Sequence, residues 1–362
     1  MDSETLSSET NSSENLQSQA NDFSNENIEN CTNEDPNCDF ELIKEDNNEF
    51  YCIDINENRK YVICGGKNEY AEVFDFREDQ IVAKIENFEE SVLFTKFLKG
   101  DRFLIVTVDG TIALMEYDKE ICIINIEEDI TSVGFNEYLV VGTGSGRVYM
   151  YDSELEHINT FGSHSKEILA VEYSEGRILS MCQNTLVVHD KCGRKLYTLK
   201  ATEATAFKYI SSDVICFARD NKIQVFKENK KLFDYSSEGS VEAVEYLNNT
   251  LIIGGDFEHL LLIDTAGHYA TFKLQIKQAV LNVKKIEEYK VAFSTMEGLI
   301  GVVDIRSLNT LKYYNANVGL IFDFATSPGN IAVAGECGYN VIDLLHSESY
   351  TLQELESLMA KE

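Results

Sequence analysis

One short signature recurs eight times along this chain, and it dictates most of what the chain can become. An apolar or aromatic residue precedes Asp at Phe74-Asp75, Tyr117-Asp118, Tyr151-Asp152, His189-Asp190, Ile263-Asp264, Val303-Asp304 and Ile342-Asp343, and Phe226-Lys227 belongs to the same series. Successive copies stand 43, 34, 38, 37, 37, 40 and 39 residues apart. Each copy ends the third of four short β-rich runs. The second runs include Tyr61-Val62-Ile63-Cys64-Gly65, Phe103-Leu104-Ile105-Val106, Tyr138-Leu139-Val140-Val141-Gly142, Leu251-Ile252-Ile253-Gly254-Gly255 and Ile331-Ala332-Val333-Ala334-Gly335. Unbroken apolar runs of this length suit strands covered on both faces. Tight-turn residues follow them, at Asp109-Gly110, Gly144-Ser145-Gly146, Asp220-Asn221, Glu297-Gly298 and Cys337-Gly338, as hairpins require.

A four-stranded unit repeating near forty residues is the period of a β-propeller blade. First strands are expected to begin near residues 50, 91, 130, 167, 203, 240, 278 and 318, giving an all-β chain of eight blades, or seven if one unit is irregular. The eighth unit shows only three runs before the chain turns polar at His346. Phe40-Glu41-Leu42-Ile43-Lys44 is the candidate for its missing outer strand, which would close the ring and remove an open edge. The expected organisation is an acidic tail over 1–38, a propeller over 39–346 and a C-terminal tail over 347–362. Residues 351–360 could form a short helix with Thr351 as cap and Glu354 three residues on. The 1–38 segment holds nine acidic residues and neither Lys nor Arg, and such a composition is expected to stay disordered.

The formal net charge is −31. Nucleic-acid binding needs a basic stripe to displace counterions, and anionic membranes repel a surface of this sign, so neither is an expected partner. A cationic protein is, although charge of this kind also serves solubility alone. Nine cysteines lie at 31, 38, 52, 64, 122, 182, 192, 216 and 337 without a CxxC pair. Cys64, Cys122 and Cys216 sit inside apolar runs and read as buried thiols of a reducing compartment. The polar N-terminus is no signal peptide, and no apolar run reaches the ~18 residues of a membrane span. A soluble, monomeric protein of the cytoplasm or nucleus is expected.

These features resemble WD-repeat proteins in which tryptophan has given way to Tyr, Phe or aliphatics; the chain has no Trp. Phe-Asp and Tyr-Asp stand where the family has its WD pair, and Gly162-Ser163-His164 is a trace of its Gly-His pair. The acidic leader, the strand near residue 40, Glu90-Ser91-Val92 and Ala334-Gly335-Glu336-Cys337-Gly338 are similar to the angio-associated migratory cell protein family. In fungi that family includes a ribosome-assembly chaperone that captures a large-subunit ribosomal protein by its basic N-terminal segment. The resemblance implies that Glu90 and Glu336 match acidic positions on the family's binding face.

Catalytic chemistry finds little support. Gly142-Thr143-Gly144-Ser145-Gly146-Arg147 lacks the Gly-Lys-Ser/Thr ending of a phosphate loop and reads as a hairpin turn. The histidines at 157, 164, 189, 259, 268 and 346 show no metal-ligand spacing. His189 holds a repeat position and is expected to be structural, while His164 could bridge strands within its blade. The Asp after each third strand recurs once per blade, which points to backbone hydrogen bonding in turns and not to a carboxylate pair in one pocket. No enzyme activity, cofactor or metal is expected. The remaining acidic residues gather differently. Turns entering first strands carry Glu89, Glu90, Glu128, Asp129, Glu167, Glu203 and Glu238; turns between second and third strands carry Glu69, Asp109, Asp220, Asp256, Glu258, Glu297 and Glu336. Both sets emerge on one face of a propeller. Of these, Glu69, Glu90, Asp109, Glu128, Asp129, Asp220, Asp256, Glu258, Glu297 and Glu336 are the expected contacts for a basic client, which the resemblance implies is a large-subunit ribosomal protein. A general scaffold subunit is the alternative.

Overall fold

The computed structural model describes residues 48–359 apart from 87, 212 and 267–270. Eight antiparallel sheets follow one another along the chain: blade 1 over residues 50–85, then blades 2 to 8 over 92–125, 130–162, 170–200, 204–236, 241–275, 280–315 and 321–343. In each, neighbours in sequence are neighbours in space, as in a meander. The eighth packs against the first: Ala325, Ala332 and Ala334 share an apolar cluster with Phe50, Ile53, Val62 and Cys64. The ring therefore closes with eight blades. First strands begin within three residues of the expected positions, the largest difference being at Ala170 and Ile321.

The burial pattern explains the order. Second strands are covered on both sides, and Val62, Ile63, Cys64, Leu104, Ile105, Val106, Ile252, Ile253, Ala332 and Val333 are fully buried. Outer strands alternate, with Lys119–Asn125 and Lys230–Ser236 exposing every other residue. The apolar side chains of one sheet insert against the next sheet, so no blade buries its own faces. Seven of the eight innermost strands carry a β-bulge where they leave the upper rim, for example between Phe50 and Cys52, Val92 and Phe94, and Val241 and Ala243. Bulges bend and twist a strand, which lets each innermost strand turn from the rim into the channel. That detail left no signal in the apolar pattern.

Two glycines are required by close approach. Gly146 and Gly298 adopt φ of +86° and +78°, and a Cβ on them would meet the backbone oxygens of His164 and Gly319 at 2.3 and 2.4 Å. Hairpin tips between second and third strands tuck beneath the neighbouring blade entry, and only glycine fits there.

The recurrent Asp acts as a turn clamp. Asp75 accepts from the amides of Arg77 and Glu78 at 3.0 and 3.2 Å, Asp152 from Glu154 and Glu156 at 2.9 Å, and Asp190 from Cys192 and Arg194 at 3.0 and 2.9 Å. Asp264, Asp304 and Asp343 do the same for Ala266, Arg306 and Leu345. Blade 2 departs from the pattern. Its third strand ends at Glu116, and Tyr117-Asp118 fall in the turn beyond it, with Tyr117 left-handed at φ 53°. This slip accounts for the uneven 43- and 34-residue spacings around Asp118.

Cys52, Cys64 and Cys216 are buried free thiols, and burial raises those of Cys52 and Cys216 to about 12. Cys122 is only half-buried on an outer strand, contrary to its apolar neighbours in sequence, because alternate residues of that strand face solvent. The C-terminal helix Leu352–Met359 carries the capping box: Thr351 donates its amide to Glu354 Oε2 at 2.8 Å, and Glu354 donates its amide to Thr351 Oγ1 at 3.3 Å. Leu355 joins the blade 7 cluster around Val303 and Tyr313.

Among the described residues blade 8 has three strands, and Gly338–Asp343 forms its edge. The strand expected at Phe40-Glu41-Leu42-Ile43-Lys44 lies outside the described residues, as does the acidic leader. Truncation tests the expectation. Removal of residues 1–38 should leave the melting temperature unchanged, whereas removal of 1–46 should lower it and promote aggregation through the exposed edge. Equal melting of both truncations would refute a closing strand there.

Candidate functional site: one face and the channel it surrounds

Strand direction alternates within each blade, so the turns leading into first strands and the turns joining second to third strands lie at the same end of the ring. All candidate carboxylates therefore share one face, called the upper face below. Their environments divide them. Glu128 accepts from Thr143 Oγ1 at 2.9 Å, Tyr149 OH at 2.8 Å and Ser145, and pairs with Arg147 at 2.8 Å. Partial burial raises its carboxyl, but the hydrogen bonds and the Arg147 charge outweigh that and hold it below the usual carboxylate value. Asp109 accepts from Thr107 and from the amide and hydroxyl of Thr111, at 3.3 and 3.2 Å. Glu297 accepts from buried Gln278. These three hold their own turns together. Glu69, Glu90, Asp129, Asp220, Asp256, Glu258 and Glu336 are exposed and have no side-chain hydrogen bond or ion pair with described residues. Glu89, Glu167 and Glu203 are in the same state, while Glu238 pairs with Lys273.

Cations on this face are mostly spoken for. Lys67 pairs with Glu49 at 3.0 Å, Arg147 with Glu128, and Lys166 donates to Gln183 at 3.0 Å. The opposite face is acidic too, but more of its carboxylates are matched: Asp75 by Lys60 at 3.0 Å, Glu154 by Arg102 at 2.8 Å, Asp213 by Lys227 at 3.1 Å and Asp304 by Arg306 at 2.6 Å. The faces differ in pairing more than in composition. Exposed apolar residues stand among the upper carboxylates, namely Leu169, Met296 and Leu320.

The eight innermost strands enclose a channel of about 730 Å³. Halfway down it runs a belt of charge. Asp54 of blade 1 pairs with Lys96 of blade 2 at 2.8 Å. Lys208 of blade 5 lies between Glu245 of blade 6, at 3.2 Å, and Glu172 of blade 4, at 4.0 Å. Lys284 of blade 7 pairs with Asp323 of blade 8, whose other oxygen accepts from the amide of Ile53 at 3.3 Å. The belt is interrupted at blade 3, where Gly134 stands in register and a Cβ would meet the carbonyl oxygen of Val171 at 2.8 Å. Burial raises the carboxyls of Asp54 and Glu172. Burial also opposes the charge on Lys208, but Glu245 and Glu172 outweigh it and raise its pKa.

A model of the WD40-like domain matches residues 48–342. The chain belongs to the WD40-like family. Among solved structures, the computationally designed protein Ika8 matches with a TM-score of 0.70 at 16% identity, covering 84% of this chain and 98% of its own. Sqt1 of Saccharomyces cerevisiae matches at 0.70 and 15% identity, covering 83% and 97%. Sqt1 of Chaetomium thermophilum, in a structure bound to the N-terminus of ribosomal protein L10, matches at 0.71 and 13% identity, covering 82% and 96%. At such identities the likeness is one of fold. No curated protein matches the chain.

In this WD40-like ring, the Gly162-Ser163-His164 trace works inside its blade. His164 bonds Ser180 on the second strand at 3.0 Å and Thr185 on the third at 3.1 Å. His189 is buried against Phe161, with ring centroids 4.5 Å apart, and burial lowers it to about 4. Gly142 to Arg147 forms a hairpin between second and third strands. His268 lies outside the described residues. Among the described residues no group of three or more His, Cys, Asp or Glu could hold a metal ion, and no helix is long and apolar enough to cross a membrane.

The channel belt is what the sequence reading missed. Its signal was available: a charged residue stands between apolar neighbours at Asp54, Glu172, Lys208, Glu245 and Asp323, and Lys96 and Lys284 supply the alternate positive signs beside Thr95 and Lys285. Acidity alone does not include it, because the signs alternate. Replacing Lys208 by Met should destabilise the ring by about 2 kcal/mol at pH 7, less than for a fully buried pair because the lysine is partly exposed. Burial raises the folded pKa of Glu172, one of the carboxylates left behind, so folding takes up a proton there and the variant loses stability as pH rises above the unfolded value of that group. The deficit should shrink below about pH 4.3, where Glu172 is protonated. Urea melts at the two pH values check this, and a pH-independent deficit would contradict it.

Proposed function

We propose that this protein-binding propeller is a dedicated chaperone that captures a basic segment of a large-subunit ribosomal protein on its upper face. The observation that carries the reading is the set of exposed carboxylates without partners around the channel mouth, Glu69, Glu90, Asp129, Asp220, Asp256, Glu258 and Glu336. Carboxylates that make no internal bond have only hydration to give up when a guanidinium or ammonium arrives, and charge-assisted hydrogen bonds to Arg are directional. Leu169, Met296 and Leu320 offer apolar contact between them, as an interface with a few anchoring residues needs. Asp109, Glu128 and Glu297 support their turns and contribute field more than contact.

The similarity of Glu90-Ser91-Val92 and residues 334–338 to the angio-associated migratory cell protein family supports the same reading. So does the fold shared with an Sqt1 described as bound to the N-terminus of ribosomal protein L10. The client is met soon after synthesis, so the proposed compartment is the cytoplasm or nucleus, and the proposed state is a monomer. Neither nucleic acid nor membrane is a proposed partner, and no catalytic step or cofactor enters the proposal. A second reading, a scaffold subunit of a larger assembly, is favoured by apolar residues exposed on outer strands, among them Ile81, Ile158, Leu232 and Phe272.

Two measurements separate these readings. Reversing Glu90 and Glu336 together to Lys should weaken binding of an Arg/Lys-rich peptide by ~10–100-fold and flatten its salt dependence. Unchanged affinity would remove the face from the proposal. Affinity capture followed by mass spectrometry should yield one dominant ribosomal protein, whereas a fixed set of many subunits would establish the scaffold.

A further inference from the structure

Outer strands of neighbouring blades diverge with distance from the ring axis, and the wedge between them must be filled. In blades 4 and 5 an aromatic ring on the outer strand does this. Tyr197 stands opposite Val188, and Phe233 opposite Val225, and both rings pack with the apolar cluster of the following blade. In blade 1 the same register position, opposite Val73, is Ala83. Ala83 shares a buried apolar cluster with Ala113 and Met115 of blade 2. Alanine thus stands where blades 4 and 5 hold a ring, and next to it, lined by Ile85, Ala113 and Met115, a groove of about 560 Å³ opens between blades 1 and 2.

Its floor is apolar, Ala113 and Met115, with Ile85 and Phe88 on one wall and Ile123, 45% exposed, on the other. Its rim is acidic. Glu89, Asp118 and Glu120 have no ion pair with described residues, and the lining lysine, Lys84, pairs with Glu86 at 3.2 Å. The geometry points to a second docking site, on the side of the ring, for an extended basic segment of a partner protein that inserts an apolar side chain between flanking Lys or Arg residues. Charge complementarity selects that occupant. The chain's own leader carries nine acidic residues and no Lys or Arg over 1–38, and a second copy would bring a like net charge of −31. The site stands whether or not the upper face binds the proposed client.

The chain has six methionines, which makes methyl-labelled methionine NMR a direct test. Met115 reports the groove, and Met296, 65% exposed in the upper turn of blade 7, reports the face; Met115→Leu and Met296→Leu assign the two signals. Titrating the full chain with the peptide Lys-Leu-Lys-Leu-Lys at low salt should move the Met115 methyl saturably. Ala83→Phe, which installs the ring present in blades 4 and 5, should abolish that movement. Glu120→Lys with Ile123→Ser, both at the surface, should weaken it at least tenfold and decides the matter if Ala83→Phe does not fold. A Met115 signal that stays fixed, or that moves equally in the filled or reversed variants, overturns the groove. Movement of Met296 alone would uphold the upper face and reject the side site.

Discussion

Everything in this fold depends on sheets that cannot bury themselves. A second strand such as Phe103-Leu104-Ile105-Val106 is apolar on both faces, and its cover comes from the blades before and after it. Burying one such side chain is worth roughly 1.5–3 kcal/mol, but only when both neighbours are in place. The last blade has no following neighbour in sequence and must find the first in space. The alanines of blade 8, Ala325, Ala332 and Ala334, meet Phe50 and Ile53 of blade 1 for this purpose. Small residues there let two sheets from opposite ends of the chain approach as closely as sequential ones do.

Charge is distributed according to the same requirement. Inside the channel, where Asp54 and Glu245 are buried, carboxylates are joined to lysines of adjacent blades, so the belt adds lateral links between neighbouring sheets. Lateral ion pairs do little for stability on balance, since burial opposes each charge, but they penalise any register in which a carboxylate faces another carboxylate. On the upper rim, where solvent screens repulsion, seven of the ten candidate carboxylates have no side-chain partner among the described residues. The protein thus neutralises charge where it would be costly and leaves it exposed where another molecule can use it.

Much of the architecture was legible because the repeat is periodic. The position of Asp after the third strand gave blade count and register, since the turn clamp recurs in six of the eight units; Asp118, displaced into its turn, and Lys227, which has no carboxylate, depart from it. Bulges were illegible, because a bulge moves one residue without altering the apolar run around it. Among the candidate carboxylates, sequence placed Asp109, Glu128 and Glu297 beside Glu90 and Glu336 as equivalents. The difference rests on Thr107, two residues from Asp109, on Tyr149 and Arg147 of the third strand of blade 3, and on Gln278 at the entry to blade 7. The groove between blades 1 and 2 was hidden for a related reason. An alanine in an outer strand is unremarked in sequence until its register partners in blades 4 and 5 prove to be aromatic rings.

The break at Gly134 gives the ring an orientation. Eight similar blades would otherwise present eight nearly equivalent settings to anything seated on the axis. Taken blade by blade, the sign of the belt runs negative, positive, empty, negative, positive, negative, positive, with Asp323 offset in the last. No turn of the ring by a whole number of blades maps that order onto itself. A body of revolution has thereby acquired a compass bearing: each of its eight settings presents a different order of charge.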